Sequence, residues 1–366
     1  MSAIKKNPEL IVYRVTVVLL AILLLSIIWR PAYFASQDGP SHLYNAWILT
    51  VRGDPGYPLI NSCYQIRWEL FPNWAGYLLL FLLLHIFSPV ISEKILVSLI
   101  VLGLPAGIIC LERTINTGTG RRDAPWWTLL GFLFTLNHPL FKGFYNHGLG
   151  MVLFIFITTF FWKNNDRGWT TGRLIILDIL LAASYFCHIV SFLLTLIMIA
   201  TLQIVSKHNA RQHFRLITAL IPVGIGLVYY LARFGGDLPL RLPGWRYLKM
   251  ETAQLVQGRM LSGFYYHPTY FTALGILLGL GVIGTGISYF IGLKRIGWKI
   301  NRKSRLLTVI AVLFFIYFIS PNAAGGGKYL NMRAALYPLL ILTVWLDTPR
   351  KTVLRLLLAG VILALI

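Results

Sequence analysis

The chain has 366 residues, of which 57% are hydrophobic and only 12% are charged. Long apolar runs recur from end to end, each long enough to cross ~30 Å of hydrocarbon, and the alternation of a membrane β-barrel is absent. The composition therefore predicts an all-α polytopic transmembrane helical bundle that forms a single integral membrane domain over residues 1–366.

The net charge of +21 raises the question of a nucleic-acid partner. The basic residues lie between the apolar runs, where they set membrane topology, and no basic groove with interleaved aromatic residues is found. Nucleic acid is therefore not an expected partner. Cys63, Cys110 and Cys187 form neither a metal nor a disulfide pattern. No cofactor or metal site is predicted, and the use of a divalent ion is left open.

The positions of the apolar runs predict about 11 spans. They are 10–29, 94–111, 126–139, 147–162, 174–187, 189–206, 216–232, 269–293, 306–320, 334–347 and 353–366. The first run is too long for the apolar core of a typical signal peptide, so we interpret it as an uncleaved span. The last run reaches Ile366, so the chain ends in a span or continues beyond it.

A further apolar run, "PNWAGYLLLFLLLHIF" at 72–87, decides the topology. If it does not cross, most of the 33 Lys and Arg residues lie on the inner side, in short loops such as "KRIGWKINRKSR". If it crosses, every cluster of basic residues after the first inner one is placed on the outer side instead. We therefore expect 72–87 to lie in the outer interface. The N-terminus is then cytoplasmic, and the long outer loops are 30–93 and 233–268.

The stretch "YFASQDGPSHLYNAWIL" follows the first span. Pro40 suits the first position of a helix, and Asp38 or Gly39 precedes it as a cap. Asp38 would then lie beside the positive end of a helix dipole, with His42 four residues later on the same face. An ionised carboxylate at this depth can accept a proton from a hydroxyl. The alternative is that Asp38 only caps the helix.

Arg333 begins a predicted span in "GGGKYLNMRAALYP", and Lys328 lies shortly before it. An arginine offers a bidentate fork to a phosphate, and glycines let backbone N–H groups approach an anion. The two residues are therefore candidates for binding a phosphate-bearing substrate. The alternative for Arg333 is an anchor at the membrane surface.

Four more polar residues are predicted on the outer side as substrate-binding candidates. Lys142 and Asn146 lie in "FKGFYNHG", His188 lies at the hinge between two apolar runs, and Arg246 lies among aromatic residues of the loop 233–268. Aromatic side chains beside polar groups suit sugar faces, although Trp and Tyr also mark any membrane interface. For His188 the alternative is a buried imidazole bonded to a neighbour.

The order of these features resembles the GT-C superfamily of polytopic membrane glycosyltransferases, which includes protein O-mannosyltransferases and lipid A aminoarabinose transferases. The resemblance covers residues 1–165. It rests on the inside-to-outside first span, the acid just after it, the interfacial helix "PNWAGYLLLFLLLHIF", and the basic residues Arg113, Arg121 and Arg122 after the next span. Residues 166–366 supply further spans.

The resemblance implies a donor sugar on a polyprenyl phosphate at the outer leaflet, and transfer with inversion to a lipid, glycan or protein acceptor. It assigns catalysis to Asp38, with His42 beside it, and implies a bacterial inner membrane as the location. Many members have Asp-Glu where this chain has Asp38-Gly39, and many have a second acid in the outer loop after the third span, which is absent here.

Two other functions stay open. A flippase for lipid-linked sugars or a secondary transporter would show charges at the membrane midplane, and this chain has few. A non-catalytic subunit of a cell-envelope assembly is the third interpretation. No P-loop, dinucleotide fingerprint, His-Glu-x-x-His or Gly-x-Ser-x-Gly motif is present.

Overall fold

The structure is a computed structural model that describes residues 8–117, 124–206, 210–234, 244–263, 268–295, 302–324 and 327–346, together with Arg355 and Ile362. These residues are largely helical, so the all-α prediction is confirmed. The helices are α1 (Pro8–Trp29), α2 (Gly39–Val51), α3 (Pro58–Cys63), α4 (Trp74–Leu84), α5 (Pro89–Asn116), α6 (Leu130–Leu133), α7 (His138–Phe141), α8 (Tyr145–Asn165), α9 (Thr171–Cys187), α10 (Ile189–Ile204), α11 (Ala210–Ala219), α12 (Ile221–Phe234), α13 (Trp245–Val256), α14 (Pro268–Arg295), α15 (Arg305–Ile319) and α16 (Leu330–Trp345).

Short 3-10 turns and one small hairpin complete the described secondary structure. The turns are Trp126–Leu129, Arg259–Leu261 and Arg302–Ser304. The strands β1 (Ala323–Ala324) and β2 (Gly327–Lys328) pair in antiparallel register and lead directly into α16.

Among the described residues, three helices are long and apolar enough to cross a membrane: α1, α5 and α8. The pair α11 and α12 would make a fourth span, bent by 49°. Shorter apolar helices include α4, α10 and α16. These helices agree with an integral membrane protein. The predicted run 353–366 lies outside the described residues, apart from Arg355 and Ile362.

The prediction of one continuous span at 126–139 is wrong. The segment is a 3-10 turn, the four-residue helix α6, and a break before α7. The side chain of Asn137 accepts a hydrogen bond from the backbone N–H of Leu140 at 2.9 Å and so starts α7 as a new helix. Pro139 has no N–H with which to continue the preceding helix. Most of the segment is buried in the core all the same.

The predicted span 216–232 is also divided, between α11 and α12. Pro222 lies at the second position of α12. Its ring clashes with the preceding turn and disfavours the helical conformation just before it, which accounts for the 49° bend.

A buried lysine joins the end of α1 to the start of α5. The ammonium of Lys94 donates to the carbonyl of Trp29 at 3.2 Å and to that of Pro31 at 2.6 Å. The indole of Trp29 donates to Ser98 at 3.0 Å. Carbonyl groups at the end of a helix carry partial negative charge, so they stabilise the buried cation. These contacts fix where the chain leaves α1 and enters the segment that carries Asp38.

The opposite end of the bundle carries a cluster of cations around one acid. Asp166, just after α8, pairs with Arg305 at 2.7 Å and with Arg302 at 2.5 Å. The guanidinium of Arg302 also lies over the ring of Trp162 at 4.8 Å. Cations of this kind were predicted for the inner side, and their sidedness stays a prediction.

The helix α4, in the run 72–87, has 11 residues. At 1.5 Å per residue it is ~16 Å long, which is shorter than the ~30 Å hydrocarbon core. It packs against α2. Its start is bound to α8, because the backbone N–H of Gly76 donates to Asn146 at 2.6 Å. This length fits a helix that does not cross.

The sidedness can be tested with thiol labelling. Cys63 is exposed at the end of α3, in the loop predicted to be outside. A variant with Cys110→Ala and Cys187→Ala should therefore react with a membrane-impermeant maleimide on intact cells. Gly172, in the first turn of α9, has open space around it. Gly172→Cys, in a chain without the three native cysteines, should react only after the membrane is permeabilised. Reaction of Gly172→Cys in intact cells would reverse the assigned orientation.

Candidate functional site

A cavity of about 860 Å³ lies between α2, α4 and the first turns of α8, α10 and α16. One face of α2 forms its long wall, through His42, Asn45, Leu49 and Arg52. Residues three or four apart share one face of a helix, so the cavity runs along the helix from end to end. We call it the α2 cavity.

Asp38 is held at one end of the α2 cavity by the turn between α7 and α8. The backbone N–H of Asp38 donates to the carbonyl of Lys142 at 3.1 Å, and that of Gln37 donates to Phe141 at 2.9 Å. Gly143 closes the turn with a φ of +82°, and a Cβ there would lie 2.6 Å from the backbone nitrogen of Gly39. Only glycine fits this position, since both the conformation and the contact exclude a side chain.

The carboxylate of Asp38 is not used as a helix cap. Asp38 occupies the N-cap position of α2, but its side chain makes no capping hydrogen bond. It lines the α2 cavity, and it has no hydrogen bond or ion pair with another side chain in the described part of the protein. The alternative that Asp38 only caps the helix is therefore not the arrangement found, and the carboxylate is free to act on a bound molecule.

His42 lies one turn along α2 and also lines the cavity. Its Nδ1 is 2.8 Å from the hydroxyl of Tyr77, and the two rings are 5.3 Å apart. Burial lowers the pKa of the His42 imidazole, and the negative charge of Asp38 opposes this shift only in part. His42 is therefore neutral at pH 7, with its ring oriented by Tyr77.

Arg333 is buried in the first turn of α16 and lines the opposite wall. Its guanidinium lies over the ring of Phe144 at 4.0 Å, and its Nη1 is 2.8 Å from Nε2 of His188. Its Nε has no hydrogen-bond partner among the described residues. The alternative that Arg333 only anchors a helix end at the surface does not fit a buried side chain that faces a cavity.

The contact between Arg333 and His188 leaves one donor without an acceptor. Nδ1 of His188 accepts the backbone N–H of Val190 at 3.2 Å, while Nε2 faces the N–H of Arg333. A neutral imidazole accepts at one nitrogen only. With the proton on Nε2, the N–H groups of His188 and Arg333 point at each other, and with the proton on Nδ1, the N–H groups of His188 and Val190 do. In the first tautomer, an anionic oxygen placed between His188 and Arg333 would accept from both.

His147 also lies in this wall. It was not selected as a site residue from the sequence. It is fully buried, lines the cavity, and its Nε2 has no partner in the described structure. Its ring is 5.2 Å from that of His188. The sequence did carry a signal, because Tyr145, Asn146 and His147 are three polar residues in succession at the start of an apolar helix.

The other predicted substrate-binding residues divide into two groups. Asn146 lines the cavity, although its Oδ1 is occupied by Gly76 of α4. Lys142 does not line it and instead donates to Gln37 at 2.6 Å. Lys328 on β2 and Arg246 on α13 are exposed and lie outside the cavity. The structure therefore does not bring Lys142, Lys328 and Arg246 to the cavity, because their backbone positions turn them towards other neighbours or the surface.

A buried carboxylate beneath Gly39 was also missed. Glu93, at the start of α5, accepts a hydrogen bond from the hydroxyl of Tyr145 at 2.5 Å, and that hydroxyl is 2.8 Å from Ser36. A Cβ on Gly39 would collide with all three groups. Packing therefore explains why a glycine follows Asp38, since the Glu93 carboxylate lies where a side chain of residue 39 would begin.

No protein-family model, no curated protein and no solved structure matches the chain. Among the described residues, no group of three or more His, Cys, Asp or Glu side chains could hold a metal ion.

Gly143→Ala should displace Asp38 and destabilise the protein. The substitution forces alanine into a left-handed conformation, at a cost of ~1–2 kcal/mol before its contacts with the Asp38 backbone are relieved. The melting temperature in detergent should fall clearly below that of wild type. The matched control is Gly172→Ala, where the added methyl meets nothing within 4 Å. Equal melting temperatures for the two variants would contradict the packing described for Gly143.

Asp38→Asn should lower the pKa of His42 further, because the carboxylate of Asp38 is the charge that raises it. The pKa can be followed by NMR of protein labelled on its histidines, with the His42 signal assigned from a His42→Gln variant. Asp54→Asn removes an exposed carboxylate that does not line the cavity and should leave the His42 signal unchanged. A higher or unaltered His42 pKa in Asp38→Asn would show that the two groups do not interact.

Proposed function

We propose that the protein is an integral membrane glycosyltransferase, which transfers a sugar from a polyprenyl-phosphate donor to a hydroxyl of an acceptor, with inversion and with Asp38 as the base. The observation that carries this proposal is the position of the Asp38 carboxylate. It does not cap the helix, and it shares one cavity with the pair formed by Arg333 and His188. A base and a phosphate-binding wall are the two features that the reaction needs.

Inverting transfer puts the incoming hydroxyl and the leaving phosphate on opposite faces of the sugar. Asp38 would accept the proton of the acceptor hydroxyl as that oxygen bonds to the anomeric carbon. The bond between this carbon and the phosphate oxygen breaks, and the electron pair leaves with the phosphate. Asp38 and Arg333 both line the cavity, yet no ion pair joins them within the described part of the chain. The sugar would then lie between them.

The leaving phosphate suits the wall formed by Arg333, His188 and His147. Phosphate oxygens accept several hydrogen bonds, and arginine binds them with two parallel N–H groups. One such oxygen could accept from Arg333 and from Nε2–H of His188 together, and thereby relieve the contact between two donors. His42, which is neutral, would contact the acceptor or orient the carboxylate through its place on the same face of α2.

The proposed membrane arrangement has about 11 spans, a cytoplasmic N-terminus and the α2 cavity at the outer surface of a bacterial inner membrane. The layout that resembles the GT-C superfamily supports it, as does the position of Asp38 directly after α1. A base at this depth avoids the cost of a charge in the hydrocarbon, which is several kcal/mol. A flippase or transporter with the same cavity would move the lipid-linked sugar without breaking the bond to phosphate.

Asp38→Asn should abolish sugar transfer while the protein folds normally. The amide keeps the size of the side chain but cannot take the proton, and loss of a general base costs ~10²–10⁴-fold in rate. The measurement is transfer of radiolabelled sugar from a polyprenyl-phosphate donor by purified protein in liposomes, beside the melting temperature. Unchanged transfer in Asp38→Asn would show that Asp38 is not the base. Movement of the donor lipid from one leaflet to the other by the wild-type protein, without transfer of its sugar, would favour a flippase.

Donor binding should depend on Arg333 rather than on Asp38. In the same preparation, Arg333→Gln should weaken donor binding more than Arg333→Lys, because lysine keeps the charge and loses the fork. Lys142→Gln is the matched control, since Lys142 is a cation near Asp38 that does not line the cavity. Equal donor binding in all three variants would contradict the proposed phosphate wall.

A further inference from the structure

The α2 cavity is longer than the transfer site. Asp38 and Arg52 line it from the N-cap and C-cap positions of α2, which has 13 residues. At 1.5 Å per residue these two positions are ~20 Å apart. A sugar phosphate that contacts both Asp38 and Arg333 fills one end only. The other end is available to the second substrate.

The far end of the cavity is built around Arg52. Its Nη1 donates to the carbonyl of Asn61 at 3.1 Å, while its Nε is buried and has no partner among the described residues. Asn61 is itself fixed, because it accepts from the backbone of Gly53 and donates to the carbonyl of Asp54, both at 2.8 Å. Arg52 is thus a cation whose side chain is fixed in position by Asn61 and makes no ion pair with any described carboxylate.

The charge of the lining also favours an anion. Arg67 lines the cavity as Arg52 does, and Glu69 is the one acid besides Asp38 that lines it among the described residues. The negative end of the α2 dipole favours a cation at position 52, but it accounts for neither the second arginine nor the orientation of both towards the cavity. Charge complementarity at this end is therefore with an anion.

The polar and aromatic lining of the cavity suits sugar units. The cavity is also lined by the amides Asn45 and Gln65 and by the aromatic residues Tyr64 and Trp74. Amide groups hydrogen-bond hydroxyls, and aromatic rings offer an apolar face next to a polar edge. A chain of several sugars can therefore lie along α2 from Asp38 towards Arg52.

We propose that this part of the cavity binds the acceptor, and that the acceptor is an acidic oligosaccharide. Its accepting hydroxyl lies at Asp38, and a carboxylate or phosphate carried a few sugar units away pairs with Arg52 and Arg67. The assignment as acceptor rests on the function proposed above, whereas the binding of an acidic oligosaccharide can be measured without any transfer.

The test is equilibrium binding to the purified full chain in neutral detergent, followed by thermophoresis. The probes are a hyaluronan tetrasaccharide, which carries carboxylates, and chitotetraose, which has the same length and no charge. Wild type should bind the acidic probe about tenfold more tightly than the neutral one. A lost charge-assisted hydrogen bond costs ~1.5–3 kcal/mol, so Arg52→Gln and Arg67→Gln should each lose this preference. Arg52→Lys should keep most of it.

Arg246→Gln is the matched control, because Arg246 is exposed on α13 and lies outside the cavity. It should bind both probes like wild type. Equal affinity for the two probes, no binding of either, or the same loss in Arg246→Gln would overturn the proposal. So would loss of the acidic preference when phosphatidylglycerol is added, since the arginines would then bind lipid headgroups.

One further variant separates this proposal from the proposed function. Asp38→Asn should keep the preference for the acidic probe over the neutral one, because the arginines that pair with the charge of the probe are unchanged. A protein that binds the probe through Arg52 yet never transfers sugar would refute the transferase and leave the oligosaccharide site standing. Melting temperatures of all variants identify any that fail to fold, and Arg52→Lys then carries the comparison in place of Arg52→Gln.

Discussion

The contact between residues 37–39 and the turn at 141–143 is the constraint on which the α2 cavity depends. Two backbone hydrogen bonds and the close approach of Gly143 to Gly39 set the start of α2. From this point α2 extends as the cavity wall. The same turn leads into α8, whose first residues supply Asn146 and His147. Both walls thus begin from one backbone junction, which places Asp38 opposite Arg333 without any direct contact between them.

Buried ionisable groups around this junction are each stabilised by fixed dipoles or hydroxyls. Lys94 is bound by carbonyls at the end of α1, and Glu93 accepts from Tyr145. Arg333 is the exception, because its guanidinium contacts a ring and one imidazole and keeps an unpaired Nε in the described structure. A buried polar group without a partner costs free energy. An incompletely satisfied cation in a cavity is therefore a ready site for an anion.

Apolar length predicted α1, α5 and α8 well, since hydrophobicity over a long run depends on local sequence alone. The failure at 126–139 has a local cause too, as the Asn137 cap and Pro139 outweigh the apolar content. Asp38, His42, His188 and Arg333 were recognisable as polar groups at the ends of apolar runs. Lys328, shortly before such a run, and Arg246, in an outer loop, were selected as well and face elsewhere. Glu93, His147 and Arg52 join the site through tertiary packing, which a spacing pattern does not encode.

The crowding beneath Gly39 links position 39 to three other positions. The side-chain oxygens of Ser36, Glu93 and Tyr145 fill the space in which any side chain at position 39 would start. A larger residue at 39 becomes tolerable only if all three groups give way, and a shorter residue 93 takes from the hydroxyl of Tyr145 the carboxylate to which it donates. Position 39 therefore cannot change alone without loss. In descendants of this chain these positions are expected to change together or to stay as they are, even though they lie in different elements of the fold.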